Sequence, residues 1–180
     1  IKPLLHEIQS HADLELSLIV SGMHLSPEFG FTVSEIEKDG WPIREKVEHL
    51  VASDTPSGVA KSIGLGVVCF ADLFSRYKPS ILVVMGDRFE MFCAAIAAQP
   101  FNIPIAHIHG GETTIGAIDE AFRHSMTKMS HVHFVATESY RRRVIQMGEN
   151  SDYVYHTGAP ALDNLLNRKK ISFEELQEKI

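Results

Sequence analysis

Hydrophobic and polar positions alternate along this chain between two kinds of run. Short apolar, β-branched runs of strand length occur at 14–20 (LELSLIV), 81–85 (ILVVM), 104–108 (PIAHI), 132–136 (VHFVA) and 154–156 (VYH). Each feeds a segment whose apolar positions recur at three- and four-residue spacing, the mark of an amphipathic helix. The longest such stripe joins Val59, Ile63, Val67, Phe70 and Leu73 or Phe74. Thr55-Pro56 opens it as an N-cap followed by proline at the first helical position, and Lys78-Pro79 closes it. Further helices are predicted at the opening residues, where Leu4, Leu5 and Ile8 share a stripe. Others run from Arg88 through Gln99, over about 118–129, over 138–147 with Gly148 as the stop, and over 161–166. Residues 25–40 read as a loop and a short helix closed by Asp39-Gly40, and 42–50 as a strand near a sheet edge. Strands alternating with helices at this spacing predict right-handed βαβ units: an α/β, Rossmann-like parallel sheet with helices on both faces. No repeat or linker interrupts the pattern before about residue 168.

In an open parallel sheet, ligands sit outside the carboxyl ends of the strands. Two successive strands end there in polar clusters, Gly86-Asp87-Arg88 and His107 through Glu112. Asp87 either caps the following helix or aims a carboxylate into the crevice, with Arg88 beside it as a phosphate partner, and the two roles are compatible. His107 and His109 alternate along a strand and so project to one face, and Gly110-Gly111 then lets the backbone turn before Glu112. Such a pair can begin a metal site. The next pair, His131 and His133, falls a helix later at the amino end of a strand, hence at the opposite edge, where a structural role is the better reading. No metal site is assigned on this pattern. Asp119 and Glu120 occupy a first helical turn, with Arg123 and His124 four residues after each. They form either helix-surface pairs or the far wall of the Asp87 crevice, and spacing leaves both open.

Length and composition add bounds rather than chemistry. At 180 residues the chain has the size of one domain, able to bury roughly 70% of its unfolded surface. Lys plus Arg number 17 against 23 Asp plus Glu, a net charge of −6, with no like-charge block beyond Arg141 to Arg143, so a nucleic-acid footprint is absent. Cys69 and Cys93 both lie in apolar segments, as buried reduced thiols do, which points to an intracellular, cytoplasmic setting. No nearly uninterrupted apolar run reaches the ~18 residues of a membrane span, and the first 20 residues lack a signal layout. Phe and Met on the helices at 56–77 and 88–99 either fill the core, the favoured reading, or leave an apolar face for a homo-oligomer. The chain opens at Ile1 inside a helical pattern and ends within another, FEELQEKI, as expected of a piece of a longer protein.

The segments GDRFEMFCAAIAA, NIPIAHIHGGETTIGAIDEAFRHSMTKMSH and YRRRVIQMGE resemble the hydrolysing UDP-N-acetylglucosamine 2-epimerases, in particular the sialic- and legionaminic-acid branch, and SGMHLSPEFG is similar to that branch too. The resemblance runs nearly continuously over residues 1–168. It implies one half of a glycosyltransferase-B-like two-domain architecture: an amino-terminal domain at 1–168 whose first strand precedes Ile1, and at 169–180 the start of a connection toward a carboxyl-terminal domain. It implies removal of UDP from UDP-GlcNAc to give ManNAc, by elimination to 2-acetamidoglucal and hydration with inversion at C2. The same chemistry on UDP-2,4-diacetamido-2,4,6-trideoxyglucose is the alternative. Inversion needs acid–base groups on both faces of the ring, and a departing diphosphate needs cations, whereas no cofactor or metal is required. By match to the family's motifs, Asp87 and Asp119 take acid–base roles. His109 stands where the family usually has Glu, so it or Glu112 supplies the third group. Arg88, His107, Glu120, Arg123 and His124 fall among the substrate-binding positions. The rival readings are a metal-dependent hydrolase built on His107 and His109, and a non-catalytic nucleotide-sugar-binding module.

Overall fold

A computed structural model describes residues 1–166 and 177. The expected connection at 169–180 therefore lies outside the described residues, Gln177 excepted. The chain divides into two compact units, Ile1–Leu16 with Gly158–Ile180, and Ser17–Thr157. In the first, helices α1 (Lys2–Ser10) and α7 (Pro160–Leu166) meet, and Leu5 on the apolar stripe of α1 is buried.

The second unit contains every candidate site residue. Its strands are β1 (Leu18–Ser21), β2 (Ile43–Val47), β3 (Leu82–Met85), β4 (Ile105–Ile108), β5 (Val132–Val135) and β6 (Val154–His156). Its helices are α2 (Val33–Lys38), α3 (Pro56–Arg76), α4 (Phe89–Ala98), α5 (Asp119–Met129) and α6 (Glu138–Gln146). β1 starts later than the pattern predicts, because a turn in which Leu14 and Asp13 bond back to His11 uses up the preceding residues. Every strand pair is parallel, and the helices lie on both sides. The strands form two hydrogen-bonded ladders, β1-β2 and β3-β4-β5-β6, where the periodicity alone pointed to one sheet. Side-chain alternation identifies strands but leaves open which edges pair.

The core forms where α3 packs on α4. Thr55 caps α3 by accepting from the Gly58 N–H at 3.1 Å, and Pro56 sits at its first turn. Phe70, Leu73 and Phe74 on its inner face are each at most 2% exposed, every one contributing roughly 1.5–3 kcal/mol of burial. Gly66 permits the close approach, since a β-carbon there would lie 2.7 Å from Cys93 Sγ and 2.8 Å from His49 Nδ1. At 21 residues α3 is long and apolar enough to cross a bilayer by length and composition, against the expectation from uninterrupted runs. Its phenylalanines nonetheless pack into the core beside Phe89, Cys93 and Ile105, as those of a core helix do. The Phe and Met residues of the two helices thus fill the interior, with Met91 and Phe92 packed against it.

Cys93 is fully buried, donates to the Ile63 carbonyl at 3.4 Å, and has its pKa pushed by burial up to about 12. Cys69 is only partly covered. Alkylation under native conditions will therefore modify Cys69 and spare Cys93 until the chain unfolds, as followed by intact mass. Equal rates at the two thiols would contradict this packing.

Candidate functional site

Two strand ends and one helix make the site. Gly86 follows β3 in the left-handed region, φ 77°, and its N–H donates to the Ile108 carbonyl at 2.9 Å, which fixes Asp87 just past the sheet. Beyond β4, His109 also takes a left-handed conformation, φ 68°. That strain is held from two sides: the His109 N–H donates to Phe134 of β5 at 2.9 Å, and its carbonyl accepts from Arg123 Nη1 at 2.9 Å. Gly111, φ 77°, then lies directly on α6, where a β-carbon would stand 2.6 Å from the Tyr140 carbonyl, and its own carbonyl accepts from Arg143. The loop that follows returns to α5.

Arg123, one turn into α5, is 5% exposed and gathers these pieces. Besides the His109 carbonyl it donates through Nη2 to Asp87 Oδ2 and to Thr114 Oγ1, the latter at 3.0 Å, and Nη1 lies 3.6 Å from Glu112 Oε2. Glu112 in turn meets His109 Nδ1 at 2.6 Å. Asp87, Glu112, His109, Thr114 and Arg123 thus form one charged cluster at the carboxyl edge of the sheet. Asp87 is not the helix cap: Arg88 occupies that position, and the Asp87 carboxylate turns to Arg123 and Thr114.

The remaining candidates sort by their contacts. Asp119 opens α5 four residues before Arg123, partly exposed, with no hydrogen bond from its carboxylate to any described residue. Of the two readings that the spacing left open, the Asp119–Arg123 surface pair does not form, and Arg123 pairs with Asp87. The Glu120–His124 pair does form, at 3.0 Å, and the Thr114 N–H donates to Glu120 Oε2 at 2.5 Å. Those bonds hold the Glu120 pKa below the ordinary carboxylate value. Arg88 points away from the cluster, toward Glu90 at 3.3 Å and Met23 Sδ at 3.4 Å. With Met23, Phe29, Leu50 and Phe89 it lines an adjacent cleft of about 350 Å³.

His107 is the correction. It is fully buried, with Nε2 2.8 Å from the Gly86 carbonyl and Nδ1 3.2 Å from Thr127 Oγ1. Burial pushes its pKa down to about 4, so the ring is neutral near pH 7. The carbonyl can only accept, so the single ring proton sits on Nε2. His107 does not share a face with His109, which lies beyond the strand end, and both its nitrogens are engaged; the metal-hydrolase reading loses its first ligand. His133, its register neighbour on β5, is likewise buried and bonded to Glu149 at 3.2 Å, the structural role assigned to it. Sequence reasoning missed Thr114, whose hydroxyl and N–H both join the cluster. It also missed the link from Arg123 to Asp87, since neither follows from helical spacing.

The sequence profile described as UDP-N-acetylglucosamine 2-epimerase matches residues 6–180. A GDP/UDP-N,N'-diacetylbacillosamine 2-epimerase (hydrolyzing) from Campylobacter jejuni is 42% identical over 178 residues, covering 99% of this chain and 46% of its own length. A UDP-N,N'-diacetylbacillosamine 2-epimerase (hydrolyzing) from Legionella pneumophila is 40% identical over 168 residues, covering 93% and 44%. The chain thus spans a little under half the length of these relatives. The crystal structure of UDP-GlcNAc 2-epimerase from Neisseria meningitidis bound to UDP-GlcNAc superposes with a TM-score of 0.80 at 21% identity, over 91% of this chain and 43% of that one. The fold is that of one half of a glycosyltransferase-B-like architecture.

The neutral His107 sets a pH dependence. Unfolded, it titrates near 6.5; folded, near 4. Between those values the unfolded state takes up a proton that the folded state refuses, so stability is full above pH 6.5 and falls as pH drops toward 4, by about 3 kcal/mol. His133, also depressed by burial, acts in the same direction. Urea unfolding of the full-length protein across this range will show that decline, and His107→Gln, which keeps an N–H for the Gly86 carbonyl, will flatten it. An unchanged slope in the variant would refute the assignment.

Proposed function

Because this chain belongs to the UDP-N-acetylglucosamine 2-epimerase family, we propose that the full-length protein is a hydrolysing 2-epimerase of a UDP-linked 2-acetamido sugar, for which this chain supplies the amino-terminal half of the active site. The observation that carries the reading is the Asp87 carboxylate, anchored through Oδ2 by Arg123 at the sheet edge, with Oδ1 bonded to no described residue. Such a group is pre-oriented to move a proton.

A base takes the proton from C2 as the C1–O bond to UDP breaks, leaving 2-acetamidoglucal and UDP. Water then adds its oxygen at C1, and a proton returns to C2 from the opposite face. The products are UDP and the free C2-inverted amino sugar. Asp87 and Asp119 are assigned to the two proton transfers at C2. The His109–Glu112 pair acts as a unit in the third acid–base role, since a hydrogen bond of 2.6 Å joins the two candidates. The amino end of α5 faces the departing diphosphate, and Arg88, 48% exposed at its side chain, joins it by turning out of the cleft where it meets Glu90 and Met23. The carboxyl-terminal half and a strand ahead of Ile1 complete the site, a reading supported by the relatives' greater length. A cytoplasmic homo-oligomer without cofactor or metal is the corresponding whole.

UDP-GlcNAc is the first substrate. UDP-2,4-diacetamido-2,4,6-trideoxyglucose is the second, favoured by the names of the relatives at 42% and 40% identity. Incubating the full-length protein with each and identifying the sugar released alongside UDP separates them. In D₂O the product will carry one deuterium at C2. Asp87→Asn will slow UDP release by about 100-fold or more. Near-normal release from that variant, or product without deuterium, would overturn the mechanism.

A further inference from the structure

Thr114 stands where the loop after β4 reaches the start of α5, with contacts in two directions. Its hydroxyl donates to Asp87 Oδ2 at 3.3 Å and accepts from Arg123 Nη2 at 3.0 Å, while the same Nη2 donates to the same Oδ2. A hydroxyl has one proton, and with Arg123 occupying a lone pair that proton is directed at Asp87. On its other side the Thr114 N–H is held by Glu120 Oε2 at 2.5 Å, and the second oxygen of Glu120 is held by His124 Nε2 at 3.0 Å. The threonine is thus fixed from α5 and fixes Asp87 in turn. A carboxylate gripped by a guanidinium alone can rotate about its Cβ–Cγ bond or present both oxygens to the cation, the bidentate arrangement Arg favours. A second donor on Oδ2 from another direction removes that freedom and leaves Oδ1 outward.

We propose that Thr114 is a positioning residue of the epimerase reaction, selecting which oxygen of Asp87 meets the sugar, with Glu120 as the support that holds Thr114 in place. The proposal rests on the assignment of Asp87 to proton transfer. A purely structural role fits poorly, because this loop carries little packing: the next residue, Ile115, is 93% exposed, and Thr113 is exposed as well. Removing the hydroxyl takes one acceptor from Arg123 but leaves Asp87 on the same nitrogen, so its effect falls mainly on the orientation of Asp87.

The test uses the full-length protein with its UDP-sugar. Thr114→Val, of the same shape without the hydroxyl, will lower kcat about tenfold and leave KM within about twofold. The thermal midpoint will fall only slightly, because Arg123 Nη2 keeps Asp87 when it loses the hydroxyl, and Thr114→Ser will restore kcat. Wild-type kinetics in the valine variant, equal damage in the serine variant, or a fall in midpoint that accounts for the loss would each overturn the proposal. Asp87→Asn, measured in parallel, separates the two levels: full activity there removes the underlying assignment. Its inactivity beside an unaffected Thr114→Val removes only the role of Thr114.

Discussion

A guanidinium withdrawn from water must be met by anions and carbonyls, or the fold pays several kcal/mol for it. Arg123 meets that demand at its two terminal nitrogens with parts of two other segments: Asp87 from the end of β3, and the His109 carbonyl and Glu112 from the turn after β4, while Nε has no partner among the described residues. Asp87 lies 36 positions and the His109 carbonyl 14 positions from Arg123, so only the fold brings them together. The buried charge therefore works as a constraint on assembly, since it is satisfied only when two strand ends and a helix have come to one place. The same bonds that satisfy it orient the carboxylate assigned to chemistry. On the proposed assignment stability and function share one pair, so loss of either partner reaches both.

Around that pair the fold supplies rigidity without further charge. His107 is neutral because it is buried, and its fixed tautomer joins the Gly86 carbonyl, one residue before Asp87, to Thr127, one turn beyond Arg123. It thus braces both members of the ion pair from within the sheet. Gly111 lets the His109–Glu112 turn lie against α6, and the Phe92–Phe122 stack, with ring centroids 4.8 Å apart, sets α5 against α4. Each contact is ordinary, but all act on the same few backbone positions. A site built this way presents side chains on loops while its geometry is set by strands and helices.

The sequence made the elements legible because periodicity reports burial, and burial is what these strands and helices share. Thr55, Pro56 and the α3 stripe stand where the pattern puts them. Ladder membership was not legible, since β1-β2 and β3-β6 look alike to a rule that reads one strand at a time. The site residues were legible as a set but not as partners. Asp87 was visible from its place after a strand, yet its tie to Arg123 spans 36 positions and crosses two elements. Helical spacing offered Asp119 as the nearer partner, but both carboxylates are partly buried, and Arg123 turns to the place where Asp87, Thr114 and the His109 carbonyl stand together. His107 misled for a related reason: alternation placed it beside His109, but the strand ends at Ile108 and the backbone turns left-handed one residue later.

The central claim is that Arg123 holds Asp87 by one oxygen so that the other is free for the sugar. The structure of the full-length protein with UDP and the released amino sugar bound tests it most directly. The account predicts Asp87 Oδ1 within about 3.5 Å of the C2 centre on one face of the ring, Asp119 on the other, and Arg123 still on Oδ2. A sugar bound with C2 out of reach of Asp87, or an Asp87 with both oxygens closed on Arg123, would contradict it.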